Sequence, residues 1–130
     1  MESCAILLYK EGRVLLQLRD QNAPTAPNKW SFFGGGIEDE TPEQAVVRET
    51  EEELSYKLKS PEKFLVRKFN HDYFEREHIF YEEINSEEIK ELKQREGKDM
   101  AWFSEGEIEN IDIVLEKKLA LKLFFNFINN

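Results

Sequence analysis

Gly34-Gly35-Gly36-Ile37-Glu38-Asp39-Glu40-Thr41-Pro42-Glu43-Gln44-Ala45-Val46-Val47-Arg48-Glu49-Thr50-Glu51-Glu52-Glu53 runs from a glycine turn into a carboxylate-rich helix. Three successive glycines are expected to exclude regular structure and to let the backbone approach a neighbour closely. Thr41 is placed to cap the helix, and Pro42 suits its first position. Glu43 and Gln44 complete an acidic or amide-bearing first turn. The helix should run to about Leu54. Glu49, Glu52 and Glu53 stand at i, i+3 and i+4 and so project from one face, with Val47 and Leu54 on another. Glu51 adds to the local charge. Like charges at this spacing destabilise an isolated helix by roughly 0.2–0.5 kcal/mol per pair, a penalty that a bound divalent cation removes. Hard cations such as Mg²⁺ take oxygen ligands, which carboxylates on adjacent turns supply. In so acidic a chain the same spacing also describes a solvated helix face. The glycine turn, Glu40 and Arg48 beside it favour a site. Arg48, directly before Glu49, can hold the carboxylates or the preceding loop by charge-assisted hydrogen bonds.

Upstream, apolar runs over residues 4–9 and 13–19 flank Lys10-Glu11-Gly12 and predict a β-hairpin with the glycine at its turn. Residues 20–29 hold two prolines, two asparagines and an aspartate and should form a loop. Trp30–Phe33 reads as a short strand leading to the glycines. Downstream, strands are expected at Lys63–Phe69 and His78–Ile84, the second beginning as early as Tyr73. Ser86–Leu92 reads as a helical turn and Met100–Phe103 as a last strand. Ser104-Glu105-Gly106-Glu107 fits a capping box opening a short helix. A final helix should span about Asp112 to Phe127, with Leu115, Leu119, Leu123 and Phe127 recurring every four residues. Strands, helix, strands, helix implies a mixed sheet with helices on its faces.

The chain has 130 residues, 40% hydrophobic and 35% charged, which suits one soluble domain over 1–130 and excludes collagen-like or low-complexity classes. With 27 acids against 18 bases its net charge is −9, a field that repels nucleic-acid backbones and anionic membranes. An anionic ligand therefore needs metal cations or a few placed bases. The single cysteine, Cys4, allows no internal disulfide, and no Cys/His cluster suggests zinc. No apolar run has signal-peptide or membrane-span length, so the cytoplasm is the expected location.

The segment from Gly34 to Glu53 resembles the signature of the Nudix hydrolases, and among them the MutT-type enzymes. That signature is Gly, five residues, Glu, seven residues, Arg-Glu, an aliphatic residue, any residue, Glu-Glu, any residue, Gly. The Glu-Thr-Pro-Glu-Gln-Ala helix start and the Arg-Glu-x-x-Glu-Glu core both match. Weaker resemblance extends through Leu18-Arg19, Asn28-Lys29-Trp30 and Glu96-Gly97. By count Gly34 occupies the signature glycine. By residue type the Gly34-Gly35 pair puts Gly35 there and leaves the loop before Glu40 one residue short. Phe33 stands where many members have proline, Thr50 where an aliphatic residue is usual, and Ser55 where a glycine ends the helix in the αL conformation. Serine at such a position costs about 1 kcal/mol.

The resemblance implies an α/β/α sandwich with a mixed β-sheet between helices. It implies Glu49, Glu52 and Glu53 as ligands of Mg²⁺ (or Mn²⁺), with Glu96 as a further carboxylate. Glu40 and Arg48 would organise the loop and helix. The backbone of Gly34, Gly35 and Gly36 would approach metal or phosphates, and Arg19 would contact phosphate. The reaction would be attack of water on a nucleoside diphosphate linked to another moiety. Metal ions lower the pKa of water and neutralise the phosphoryl group, and a carboxylate accepts the proton. Glu52 or Glu53 is the expected base, with Glu96 as rival. A small nucleotide is the expected partner: first a nucleoside triphosphate releasing a monophosphate and pyrophosphate, next a nucleotide sugar or ADP-ribose. A non-catalytic nucleotide-binding sensor of the same fold would have lost a metal carboxylate, and none is lost. Cys4 precedes the hairpin, which argues against the isomerase that shares the fold and needs a cysteine in its site. The chain is expected to be a monomer or homodimer.

Plainer roles suit the remaining side chains. Trp30 and Trp102 read as core or rim aromatics. His71 and His78 read as surface residues. Tyr73, Phe74, Phe80 and Tyr81 read as strand packing. Phe124, Phe125 and Phe127 read as core or a dimer contact, and Cys4 as inert.

Overall fold

A computed structural model describes residues 2–68 and 76–130. The hairpin forms from β1 (Glu2–Lys10) and β2 (Arg13–Leu18). Its two turn residues, Glu11 and Gly12, have φ of 50° and 77°, the paired positive values of a turn whose twist matches that of the strands. β1 and β2 pair only at Tyr9–Val14 and Lys10–Arg13 and then part. The next segment fills the gap: β3 (Trp30–Ser31) pairs with β2, and β4 (Phe33–Gly36) pairs with β1. β5 (Glu62–Lys68), β6 (Arg76–Glu83) and β7 (Asp99–Ser104) complete the sheet. β6 lies parallel to β1 with β5 outside it, and β7 lies antiparallel along β2. The expected mixed sheet is therefore present.

The helices are α1 (Pro42–Leu54), the single turn α2 (Ser86–Ile89) and α3 (Leu115–Ile128). Sheet residues alternate between them, as a strand's period of two requires. Cys4, Ile6, Leu8, Leu15, Phe33 and Phe80 meet Ala45, Val46 and Leu54 of α1. Ala5, Leu7, Val14, Leu16 and Ile79 meet Leu121, Phe124 and Phe125 of α3. Coverage on both faces explains why β1 reads as an unbroken apolar run rather than an alternating one. Among the described residues no helix is long and apolar enough to cross a membrane.

Several expectations need correction. The triple glycine is not irregular: Gly34, Gly35 and Gly36 pair with Ala5, Cys4 and Ser3 as a strand. Here absent side chains serve close packing. At Gly34, with φ of 151°, a Cβ would run into the Cys4 carbonyl. The second correction concerns α3. Leu115, Leu119, Leu123 and Phe127 are 64%, 51%, 56% and 48% exposed, whereas Ala120, Leu121, Phe124 and Phe125 are buried. Phe124 fixes this rotation, because the rings of Tyr9, Phe64 and Tyr81 surround it at 5.3–5.6 Å. Phe125 joins it in the core, and Phe127 does not.

The other boundaries shift by a few residues. The last helix starts at Leu115, because Asp112–Val114 stay extended and Ile113 bridges to Trp30. Ser104 and Glu107 exchange both bonds of the capping box at the head of a 3₁₀ turn, Glu107–Asn110. Trp30 packs edge-on against Phe103, and Trp102 lies against the α1-side core. His78 is no surface residue: its side chain is 16% exposed and bonds Glu2 at 2.7 Å. His71, Tyr73 and Phe74, with Phe69 at the end of the expected strand, lie outside the described residues.

Candidate active site

α1 begins as its sequence predicts. Gln44 N–H donates to Thr41 Oγ at 3.1 Å, and Thr41 N–H donates to Gln44 Oε1 at 3.0 Å. It ends at Ser55 in the αL conformation (φ 53°, ψ 32°), the geometry the missing glycine would have taken. The orphaned carbonyls of its last turn hold a distant loop. Lys93 N–H donates to Leu54 O at 2.8 Å, and Arg95 N–H donates to Glu53 O at 2.7 Å. Arg95 Nε also donates to Ser55 Oγ. These bonds carry Glu96 to the foot of α1, and Gly97, with φ of 80°, turns the chain away.

Arg48 ties the loop to the helix. Its Nε donates to both Glu40 oxygens at 3.1 Å, and its Nη2 donates to Glu40 Oε1 at 2.5 Å and to Gly36 O at 3.2 Å. Its Nη1 reaches Glu49 at 2.9 Å and Glu52 at 3.4 Å. The guanidinium holds the Glu40 carboxyl below the usual carboxylate range.

The three helix glutamates separate. Glu53 is 2% exposed and accepts from Gly34 N–H at 2.9 Å. The Glu49 side chain is 13% exposed and packs on Gly35, where an added Cβ would lie 2.6 Å from its carboxyl carbon. The two β4 glycines thus do different work, one for β1 and one for Glu49. Glu52, with 58% of its side chain exposed, stays with Arg48 at the rim. Leu54 is fully buried next to Glu53, so the expected division into an apolar and an acidic face fails at that point.

Burial, together with the charges of Glu96 and Glu49, pushes the Glu53 carboxyl up to about 9. Burial also raises Glu49. Among the described residues no basic side chain reaches Glu53. Glu49, Glu53 and Glu96 crowd together with Arg48 on Glu49 as the one basic contact among the described residues, and an oxygen-rich set of this kind fits a hard divalent cation. As they stand, no three His, Cys, Asp or Glu side chains among the described residues form a ready ion site. The reason is visible in their contacts. Arg48 draws Glu49 and Glu52, and Gly34 draws Glu53.

Beside this cluster a cleft of about 710 Å³ opens along the β4 glycines and Glu96 and passes under residues 24–26 onto the α3 side of the sheet. Arg19 lines it, steadied by a 2.8 Å bond from Nε to Thr25 O. Cys4 also borders it, but burial pushes its thiol up to about 12, consistent with an inert group. The cleft holds further residues that the sequence reading missed: Arg67, Glu77 and Lys117. Lys117 stands four residues before Leu121 and Glu77 two before Ile79, spacings that mark them only once those neighbours are known to be buried.

The chain's relatives agree with this architecture. The chain is similar to a MutT protein from Methanosarcina mazei Go1 (TM-score 0.80, 22% identity, 99% of this chain and 94% of that one). It is similar to a MutT NUDIX hydrolase from Burkholderia pseudomallei (0.78, 23%, 93% and 95%). It is also similar to the NUDIX domain of Shewanella oneidensis NrtR complexed with ADP ribose (0.69, 17%, 94% and 84%). No curated protein matches the chain in sequence. The NUDIX domain profile matches residues 2–124, and the chain therefore belongs to the NUDIX domain family, the pyrophosphohydrolase family that its triple glycine and glutamate-rich helix resemble.

Proposed function

We propose that residues 1–130 act as a single cytoplasmic domain that hydrolyses a nucleoside diphosphate linked to another moiety with the help of Mg²⁺ or Mn²⁺. The substrate read first is a nucleoside triphosphate, giving a monophosphate and pyrophosphate. The observation that carries this reading is Glu53, buried against Gly34 N–H beside Glu49 and Glu96, with Gly34 and Glu96 lining the cleft. Glu49, Glu53 and Glu96, joined from the rim by Glu52, would hold the cation. When bound, it neutralises phosphoryl charge and lowers the pKa of the attacking water.

The chain's own groups supply the rest. Arg19 donates to a phosphate oxygen, and the backbone at Gly34–Gly36 lets phosphates approach without steric conflict. Glu40 and Arg48 keep the loop and helix in register. Water adds to phosphorus, the bridging P–O bond breaks with its electrons on the leaving phosphate, and a glutamate takes the water's proton. That base is drawn from Glu52, Glu53 and Glu96. A second reading, ADP-ribose, is favoured by similarity to a NUDIX domain complexed with ADP ribose.

A panel of nucleoside triphosphates, nucleotide sugars, dinucleoside polyphosphates and ADP-ribose, assayed with Mg²⁺, tests the proposal. Cation-dependent release of a nucleoside monophosphate is expected. Failure to hydrolyse any of them would overturn it.

A further inference from the structure

The cleft joins two chemically different ends. One is formed by Gly34 and Gly35 of β4 with Glu96, next to the carboxylates of α1. The other lies across β1, where Glu77 on β6 pairs in register with Ser3, and Arg67 on β5 pairs with Glu77. Two strand spacings, about 10 Å, separate the β4 glycines from Glu77. That is about the reach from a phosphate through a ribose to the far edge of a base. Lys117, from the first turn of α3, closes this end. Its side chain is 18% exposed, and its ammonium lies 4.6 Å from the centre of the Phe32 ring.

The hydrogen bonds leave this end rich in donors. Glu77 Oε1 accepts from Arg67 Nε at 3.2 Å and from Nη2 at 2.7 Å. Its Oε2 accepts from Lys117 Nζ at 3.4 Å. Both carboxylate oxygens are thus engaged by cations. The ammonium has three donors, and among the described residues Glu77 is its one hydrogen-bond acceptor, at long range. Burial pushes its pKa below the usual lysine range, the mark of a charge poorly compensated by its surroundings. A donor kept at this expense lacks an acceptor that the chain does not supply.

We propose that Lys117, positioned by Glu77, is a specificity-determining residue that donates to an acceptor oxygen on the part of the substrate remote from the scissile phosphates, so that nucleotides with a ring carbonyl on the base are selected over those with an amine. This rests on the nucleotide reading above and sharpens it. Inosine and adenosine differ in this respect at C6, as do uridine and cytidine at C4. An exocyclic amine would face the ammonium donor to donor and leave it unpaired. A site built around such a donor discriminates by about tenfold or more.

The test uses these matched pairs as triphosphates and as diphosphoriboses for turnover, and as monophosphates for equilibrium binding. The wild type is expected to favour inosine and uridine by about tenfold or more, chiefly through KM. Lys117→Met is expected to reduce each ratio to within about twofold with its melting temperature retained, and Lys117→Arg to restore the preference. A wild type indifferent to the exchange or preferring the amines overturns the inference, as does a Lys117→Met protein that keeps the original ratio. If no nucleotide is hydrolysed, the hydrolase reading fails separately. Monophosphate binding then still decides this inference, and undetectable binding of both members of each pair overturns it.

Discussion

The helices α1 and α3 cover opposite faces of one sheet and break the hydrophobic rule in opposite directions. α1 buries a carboxylate, Glu53, to 2% exposure, whereas α3 leaves Leu115, Leu119 and Leu123 more than half exposed. In α3 the outcome follows from packing: the aromatic cluster around Phe124 sets the rotation, and the leucines take what remains. In α1 no packing gain explains the buried charge. Its environment raises the energy of the ionised form, and carboxyls perturbed in this way cluster at functional sites. Hydrophobic residues inside is a one-way rule, and a buried polar group is the informative exception.

The comparison can be broken most forcefully at Glu53. Glu53→Gln keeps an acceptor for Gly34 N–H, so the fold should survive while Mg²⁺-dependent turnover falls by about a thousandfold or more in a steady-state assay. A variant with wild-type turnover would remove Glu53 from the site. Gly35→Ala comes next. Its methyl would intrude on the Glu49 carboxylate, so turnover should fall at least tenfold, with stability lost by about 1–3 kcal/mol in denaturant unfolding. Unchanged activity there would mean that Glu49 is free to move aside.

The pH dependence of the metal-free protein is a further test. Glu53 in the folded chain holds a proton between its ordinary value of 4.5 and about 9, where the unfolded chain has released it. The unfolded state binds fewer protons in that window, so stability should fall as pH rises through it. A melting temperature rising from pH 5 to 9 would contradict this.

Thr50 offers a smaller effect. It is fully buried, and its hydroxyl is the one buried side-chain polar atom without a partner among the described residues. Thr50→Val should stabilise the chain by about 1 kcal/mol with turnover unchanged. On α3 the smallest effect is expected: Leu119→Gln should alter stability by no more than about 0.5 kcal/mol. A large loss there would show that the exposed leucines are covered by something.

Local chemistry was legible in the sequence, and long-range burial was not. Thr41, Pro42 and Gln44 mark the start of α1 because capping involves residues three apart in the chain. The hairpin was legible from Gly12 between two apolar runs, and its turn falls at Glu11 and Gly12. The resemblance carried by Arg48, Glu49, Glu52 and Glu53 pointed to the family. The rotation of α3 depends on Tyr9, Phe64 and Tyr81, far away in sequence, and a period of four cannot encode it. The strand at Gly34–Gly36 was hidden because glycine's usual freedom masks a position chosen for closeness to Cys4 and Glu49. The passage of Glu96 to α1 rests on backbone bonds from Lys93 and Arg95, which leave no mark in side-chain pattern. Lys117 and Glu77 were overlooked because charged residues on a buried face look like ordinary surface residues until both elements are placed.

The central claim is that Glu53 and its neighbours form a cation site whose repulsion the ion relieves. Thermal unfolding of the wild type and Glu53→Gln at pH 8, without and with millimolar Mg²⁺, tests it most directly. The account predicts that the metal-free variant melts several degrees above the metal-free wild type, and that Mg²⁺ raises the wild type but not the variant. Equal Mg²⁺ shifts in the two proteins, or none in the wild type, would contradict it.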